Sequence, residues 1–326
     1  MKQNILITGA GGFIGSHLAE RLLRDGARVT ALVRYTSSGT IGWLTTVPPA
    51  RHKGLRIIHG DIRDPDICAD AVKGNRIVFH LAAQIAIPYS YIAPRDFVAV
   101  NALGTANMLQ AARSEGVKKF VQVSTSEVYG TAQYVPIDEN HPQVAQSPYS
   151  ASKIAADKMA ESFYRSFGLP VVIVRPFNTY GPRQSARAVI PTIIIQALRG
   201  RIIRLGNIDT SRDLNYVEDT VAGMIAAARS EKTTGRTANI ATGNDFTIEE
   251  LVGFVSEILG KKLSIKTERR RVRPSKSEVR RLQGDASLAH ELFGYAPKHT
   301  IMAGLKKTIR FFEKHLDSYA KEDYQL

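Results

Sequence analysis

Cysteine is almost missing: Cys68 is the single one in 326 residues. That excludes an intrachain disulfide and any multi-cysteine metal site, and Cys68 is expected to be a buried or semi-buried spectator. Long apolar runs are also lacking, since a membrane span needs roughly 18 uninterrupted residues. The longest candidate, Val189 to Leu198, is broken by Pro191, Thr192 and Gln196. The N-terminus runs straight into Asn4-Ile5-Leu6-Ile7-Thr8, without the basic, apolar and small-residue succession of a signal peptide, so a cytoplasmic location is expected. The eight histidines are scattered, with no pair spaced for one metal centre, and no metal is expected. There is no internal repeat and no low-complexity segment.

Negative charge is scarce, with 30 acidic against 44 basic residues and a net charge of +14. Such a balance occurs in nucleic-acid-binding domains. Here the basic residues are not interleaved with stacking aromatics, so an anionic small molecule is the expected partner and nucleic acid is not. The densest cluster, Arg269-Arg270-Arg271 with Arg273, Arg280 and Arg281, suits a diphosphate as well as a phosphate backbone.

What is abundant is short, β-branched apolar text. Ile5-Leu6-Ile7, Val29 to Val33, Leu55 to Ile58, Ile77 to Leu81, Phe120 to Val123 and Val171 to Val174 read as buried strands. Helical segments such as Ile14 to Asp25 and Phe97 to Glu115 lie between them. Continuous apolar strands separated by helices predict a parallel sheet covered on both faces, the doubly wound Rossmann-type α/β architecture. That domain is expected over residues 1–175, with a return over 213–243. A smaller C-terminal α/β lobe that binds substrate is expected over 176–212 and 244–326. Pro176, Gly181, Pro182 and Pro191 predict an irregular stretch where the chain leaves the sheet. A helix over Ile248 to Leu259, a basic linker and a helix over Leu305 to His315 complete the reading.

The first strand runs into Gly9-Ala10-Gly11-Gly12-Phe13-Ile14-Gly15. Glycines at 9, 12 and 15 permit a tight turn and close backbone approach to a pyrophosphate, and the helix starting near Phe13 and Ile14 offers free N–H groups. The spacing is Gly-x-x-Gly-x-x-Gly, not Gly-x-Gly-x-x-Gly. Its place between first strand and first helix is what points to a dinucleotide. Where strand two ends, a carboxylate would select NAD; this chain has Val33-Arg34-Tyr35, then Ser37 and Ser38. Arg34 can pair with a 2′-phosphate, so NADP is favoured over NAD. Asp61-Ile62 follows strand three, where an aspartate can accept from the adenine amino group. Leu81-Ala82-Ala83 ends strand four with small side chains beneath the cofactor.

Tyr149-Ser150-Ala151-Ser152-Lys153 opens a helical segment, and the i, i+4 spacing puts phenol and ammonium on one face. A nearby Lys⁺ favours phenolate, which can take a proton from a sugar hydroxyl. The pair follows the glycine turn by about 140 residues, with Ser124-Thr125 ending a strand between them.

Taken together, Gly9/Gly12/Gly15, Asp61, Asn101-x-x-Gly104-Thr105, Ser124-Thr125-Ser126-Glu127-Val128-Tyr129-Gly130, Tyr149/Lys153 and Arg175-Pro176-Phe177-Asn178 resemble an extended short-chain dehydrogenase/reductase over nearly the whole chain. The nucleotide-sugar 4,6-dehydratases are the most similar group. Ile87-Pro88-Tyr89-Ser90-Tyr91 and Gln184-Ser185-Ala186-Arg187-Ala188-Val189-Ile190-Pro191 resemble the GDP-N-acetylglucosamine 4,6-dehydratases of legionaminic-acid synthesis. Val33-Arg34 with Ser37-Ser38 is similar to the NADP-using GDP-mannose 4,6-dehydratases.

The resemblance implies that Tyr149, with Lys153 and Thr125, oxidises C4 of a nucleotide-linked hexose while the bound cofactor holds the hydride. Glu127 then removes the C5 proton, water leaves from C6, and hydride returns to C6, giving a 4-keto-6-deoxy sugar with the cofactor recycled. It also implies that Asn101 and Arg175 belong to the cofactor site. Substrate contacts carried over are Ser126, Asn178, Arg187, Val189, Arg212 and Arg273, with Glu278 at the ribose. The helices Phe97 to Glu115 and Tyr149 to Phe167 correspond to those that form a homodimer in the family. Many dTDP-glucose dehydratases carry Asp-Glu where this chain has Ser126-Glu127. UDP-glucuronate decarboxylases share Thr-Ser-Glu, so the triplet leaves a C4 epimerase or a uronate decarboxylase as alternatives.

Overall fold

The computed structural model describes residues 3–272, 274 and 276–319. Its strands are β1 (Asn4–Thr8), β2 (Arg28–Val33), β3 (Leu55–His59), β4 (Ile77–His80), β5 (Lys119–Val123), β6 (Val171–Pro176), β7 (Asn178–Tyr180), β8 (Ile202–Leu205), β9 (Ser211–Tyr216), β10 (Thr237–Ile240), β11 (Asp245–Thr247), β12 (Ser264–Thr267) and β13 (Arg281–Leu282). Seven of them form one sheet in the order β10-β6-β5-β4-β1-β2-β3, every neighbouring pair parallel. The predicted doubly wound Rossmann-type sheet is therefore present. The chain reverses its direction of travel between β1 and β4, and at such a switch point the crevice beyond the strand ends takes a ligand.

Alternation along the strands divides the core in two. Ile5, Ile7, Val29, Ala31 and Phe79 face the helices Phe13–Arg24 and Val217–Arg229. Leu6, Leu32, Val78 and Phe120 face the helices Pro65–Val72, Gly104–Ser114 and Pro148–Phe167. Both faces being buried explains why these strands read as unbroken apolar runs. Cys68 is buried on the second face, its thiol donating to the Ile62 carbonyl at 3.2 Å, and burial pushes that thiol up to about 12.

The smaller lobe holds a sheet in the order β11-β9-β13, with β7 also paired to β9, and a two-stranded sheet of β8 and β12. Asp213 to Tyr216, expected with the first domain, are residues of β9 in this smaller sheet. The return to the large sheet is made by the helix Val217–Arg229 and β10. The stretch expected to be irregular contains β7 and then the helix Val189–Arg199, which accommodates Pro191 in its first turn, where a missing N–H costs nothing. Where a basic linker was expected, the chain forms β12, β13 and the helix Ser287–Phe293. The helix Phe97 to Glu115 is interrupted by a wider π turn over Val98–Leu103. Among the described residues no helix is long and apolar enough to cross a membrane, and no group of three His, Cys, Asp or Glu could hold a metal ion.

Candidate active site

The glycine turn lies at the switch point. Gly9 takes a φ of +68°, and its N–H bonds the Leu32 carbonyl at 3.1 Å. A Cβ at Gly9 would come within 2.9 Å of the Ala82 nitrogen, and one at Gly15 would strike the Gly9 carbonyl oxygen. Gly12 is different: a Cβ there would meet only the Gly9 oxygen, at 3.3 Å, leaving its outer face open. The helix Phe13–Arg24 begins with no capping side chain and no acidic residue in its first turn. The N–H groups of Phe13, Ile14 and Gly15 are thus offered to an anion at the positive end of the helix dipole. This cradle fits the pyrophosphate of NAD(P).

Leu81, Ala82 and Ala83, half-buried beyond β4, form the floor beside it, and the Leu81 and Ala82 N–H groups bond Thr8 Oγ1 at 3.1 and 3.0 Å. Arg34 and Ser37 are exposed where β2 ends. The Asp61 carboxylate is gripped by the Arg63 side chain at 3.0 and 2.7 Å, and this bond with Arg63, aided by Arg34, holds it below the usual carboxylate range. Ile62 is buried against Gly104.

The helix Pro148–Phe167 starts at a reciprocal cap, Ser150 N–H to Ser147 Oγ at 3.1 Å and Ser147 N–H to Ser150 Oγ at 3.3 Å. This cap seats Tyr149 edge-on to Phe97, ring centroids 6.2 Å apart. Burial pushes the Tyr149 phenol up; the nearby Thr125 hydroxyl works the other way, and the Glu127 carboxylate adds to the rise. Lys153 donates from Nζ to the Val123 carbonyl at 2.8 Å, and burial lowers its pKa to about 8 against the opposing pull of Asp157. That bond takes one of the three ammonium N–H groups, and Lys153 lies one helical turn from Tyr149.

Glu127, whose carboxylate acts electrostatically on the Tyr149 phenol, comes from the turn after β5. Thr125 caps a short turn over Ser126–Tyr129, its Oγ1 accepting the Glu127 N–H at 3.2 Å. The Glu127 side chain is half-buried and forms no hydrogen bond or ion pair with any described residue. Ser126 is buried in the same turn. A phenol, a hydroxyl and a carboxylate with unused lone pairs are therefore grouped beyond β5.

Of the residues carried over for substrate, Asn178 at the start of β7 presents a buried Oδ1 without a hydrogen-bond partner. Arg212 in β9 is buried, donates to the Ser211 and Val279 carbonyls at 2.8 and 2.7 Å, and lies 3.8 Å from Glu278. Arg212 and Glu278 are thus brought together. Arg187 is exposed, and Val189 is the first residue of its helix. Arg273 lies outside the described residues. The arginine cluster is not wholly available to phosphate, since Arg271 pairs with Glu268 at 3.0 Å and Arg281 with Asp245 at 2.8 Å.

Arg175 is placed differently from the expectation. Its guanidinium, expected at the cofactor, is buried between Asp157 Oδ2 at 3.1 Å and the Tyr129 hydroxyl at 3.0 Å. Ser124 donates to the same Asp157 oxygen at 2.8 Å, and Tyr129 donates to Asn239 at 2.7 Å. The Asn101 amide, also expected at the cofactor, bonds Gln84 and Ser152. Sequence reasoning missed Asp157, although it continues the Tyr149, Lys153 spacing by one further turn. It also missed Arg183, held at φ +69° by Glu20 at 2.6 Å, which clasps the glycine-turn helix to the smaller lobe. Nothing in the local sequence signals that pair.

The family model for GDP-mannose 4,6 dehydratase matches residues 6–308. A dTDP-glucose 4,6-dehydratase of Streptomyces griseus is 36% identical over 97% of this chain and 95% of its own length. A UDP-glucose 4-epimerase of Mycolicibacterium smegmatis is 32% identical over 94% of this chain and 97% of its own. The solved dTDP-glucose 4,6-dehydratase DesIV from Streptomyces venezuelae, with NAD bound, superposes with a TM-score of 0.86 at 29% identity, covering 97% of this chain and 99% of that one.

Proposed function

We propose, from the premise that this chain belongs to the GDP-mannose 4,6-dehydratase family of extended short-chain dehydrogenases/reductases, that it dehydrates a nucleotide-linked hexose to the 4-keto-6-deoxy sugar. The observation that carries this reading is the Glu127 carboxylate, which has no hydrogen-bond partner among the described residues and acts electrostatically on the Tyr149 phenol. An oxidation at C4 alone needs only the phenol; a second base with free lone pairs suits removal of a carbon-bound proton.

Bound NAD(P)⁺ would favour the phenolate by its charge, accept the C4 hydrogen as hydride and return it at C6. Gly9, Gly12 and Gly15 with the N–H groups of Phe13 and Ile14 would hold its pyrophosphate, and Leu81, Ala82 and Ala83 its floor. Tyr149 takes the C4 hydroxyl proton, oriented by Thr125. The resulting ketone acidifies C5–H, and Glu127 takes that proton. Glu127 can pass it to the departing C6 hydroxyl, so water leaves without a stronger acid at Ser126. The Tyr149 proton, through solvent, replaces the one lost at C5. Two protons are removed and two returned, and the net change is loss of one water.

For the substrate, a GDP- or UDP-linked hexose, with N-acetylglucosamine as one candidate, is supported by Asn178 and by Arg212 beside Glu278. Arg187, Val189 and Arg273 complete the substrate contacts of this reading, the arginines taking the diphosphate. NADP over NAD is supported by Arg34 and Ser37 at the end of β2. A homodimer is supported by exposed Val98, Leu103 and Met159 on the two helices expected to pair. Replacement of the usual aspartate by Ser126 and the similarity to a C4 epimerase favour epimerisation as the second reading. Glu127→Gln separates them. Dehydration should cease while C4 oxidation persists as reduced cofactor absorbance; full turnover by this variant would exclude Glu127 as the C5 base.

A further inference from the structure

We propose that His80 is a positioning residue, held as the neutral Nε2–H tautomer in a one-way line of hydrogen bonds that ties the cofactor cradle to the catalytic helix. His80 ends β4 and is only 1% exposed. Its Nδ1 lies 2.8 Å from Thr8 Oγ1, and its Nε2 lies 3.1 Å from Thr105 Oγ1. Donor counting at each hydroxyl fixes the proton. Thr8 Oγ1 already accepts the N–H groups of Leu81 and Ala82, which fills its lone pairs and leaves its own hydrogen for Nδ1. Thr105 gives its hydrogen to the Asn101 carbonyl at 2.6 Å and can therefore only accept from Nε2. The other tautomer would aim a third donor at Thr8 and demand Thr105's single hydrogen twice. Burial, with the Lys153 charge, lowers the imidazole pKa to about 3, so the ring stays neutral where the enzyme works.

Beyond Thr105 the line continues through Asn101, which the π turn places opposite the catalytic helix. Its Nδ2 donates to Ser152 Oγ at 2.9 Å, and Ser152 donates to the Tyr149 carbonyl at 2.7 Å. The Asn101 Oδ1 accepts the Gln84 N–H at 2.8 Å, holding the loop after the cradle floor to the same point. One end of the line is the residue before Gly9; the other is the backbone of the proposed catalytic tyrosine. The inference rests on the reading that this cradle holds NAD(P).

Two measurements test it on the full chain. With 15N-labelled histidine and no cofactor, the resonances absent from His80→Gln identify His80. They should show a protonated Nε2 and a bare Nδ1, unchanged from about pH 5 to about pH 9. An Nδ1–H or doubly protonated ring would overturn the proposal. Next, NAD⁺ and NADP⁺ are titrated against the fluorescence of Trp43, the single tryptophan, whose backbone N–H bonds the Gly11 carbonyl at 3.0 Å. His80→Phe should weaken binding about tenfold, an energetic loss the size of one charge-free buried hydrogen bond or slightly more, and His80→Gln, which keeps a donor, should recover part of it. Thr105→Val keeps the ring and should weaken binding at least threefold while disturbing the His80 resonances; Thr105→Ser should restore both. Wild-type affinity in Thr105→Val would refute the coupling. Should the wild type itself bind neither dinucleotide, the cofactor reading fails, while the tautomer measurement still decides the His80 assignment.

Discussion

Asp157→Asn probes the link between stability and catalysis most sharply. The Asp157 and Arg175 side chains are 1% and 6% exposed, and Oδ2 also receives the Ser124 hydroxyl. Removing the carboxylate charge leaves a buried guanidinium facing neutral groups among the described residues: an amide oxygen, the Tyr129 hydroxyl and the Tyr129 ring 5.0 Å beneath it. Breaking such a pair costs about 3–5 kcal/mol, chiefly because an uncompensated charge remains in a dry interior. Arg175→Met alone should cost a similar amount, but the double variant Asp157→Leu/Arg175→Met should cost clearly less than both together. Denaturant unfolding at one fixed, saturating NAD⁺ concentration measures all three, since ligand binding itself adds stability. Asp157 also raises the Lys153 pKa, so Asp157→Asn should shift the basic limb of the activity profile toward lower pH. A cost below about 1 kcal/mol, or additivity in the double variant, would refute the argument that this pair anchors the helix.

Acid stability should depend on His17, whose pKa is lowered from 6.5 to about 4 by burial and by the Arg183 charge. A depressed folded pKa adds stability that is complete above pH 6.5 and lost as pH falls through about 4, roughly 3 kcal/mol at most. Unfolding curves should therefore weaken across that window, and His17→Gln should flatten the slope there; an unchanged slope contradicts neutral burial of His17. Arg34→Ala should weaken NADP⁺ about tenfold and leave NAD⁺ nearly unchanged, as expected for loss of a charge-assisted phosphate contact. Equal weakening of both, read by calorimetry, would remove Arg34 as the 2′-phosphate ligand.

Six of the seven strands of the large sheet were legible because they carry short β-branched apolar runs between helices, most of them buried on both faces, although β3 is only half-buried; β10 was not read. The glycine turn and the Tyr149, Lys153 pair were legible because their chemistry needs fixed local spacing. The smaller lobe was not. Its β13 has two residues and β11 three, too short for any alternation to register. The place of Arg175 was not legible because its partner, Asp157, comes from a helix that only the fold sets against β6. Lys153 illustrates a different limit: its acceptor is the Val123 backbone carbonyl, which every residue possesses and no motif marks. The π turn at Val98–Leu103 likewise carries no compositional sign, and yet it sets where Asn101 points.

Whether a carbon-bound proton is removed at C5 is decided by turnover in deuterated water. GDP- and UDP-linked glucose, N-acetylglucosamine and mannose are incubated with the wild-type chain and no added reductant, and products are read by mass spectrometry and NMR. The account predicts a product that has lost one water, carries a C4 ketone and a C6 methyl, and bears solvent deuterium at C5. An isobaric C4 epimer with protium retained at C5 as the sole product would contradict it.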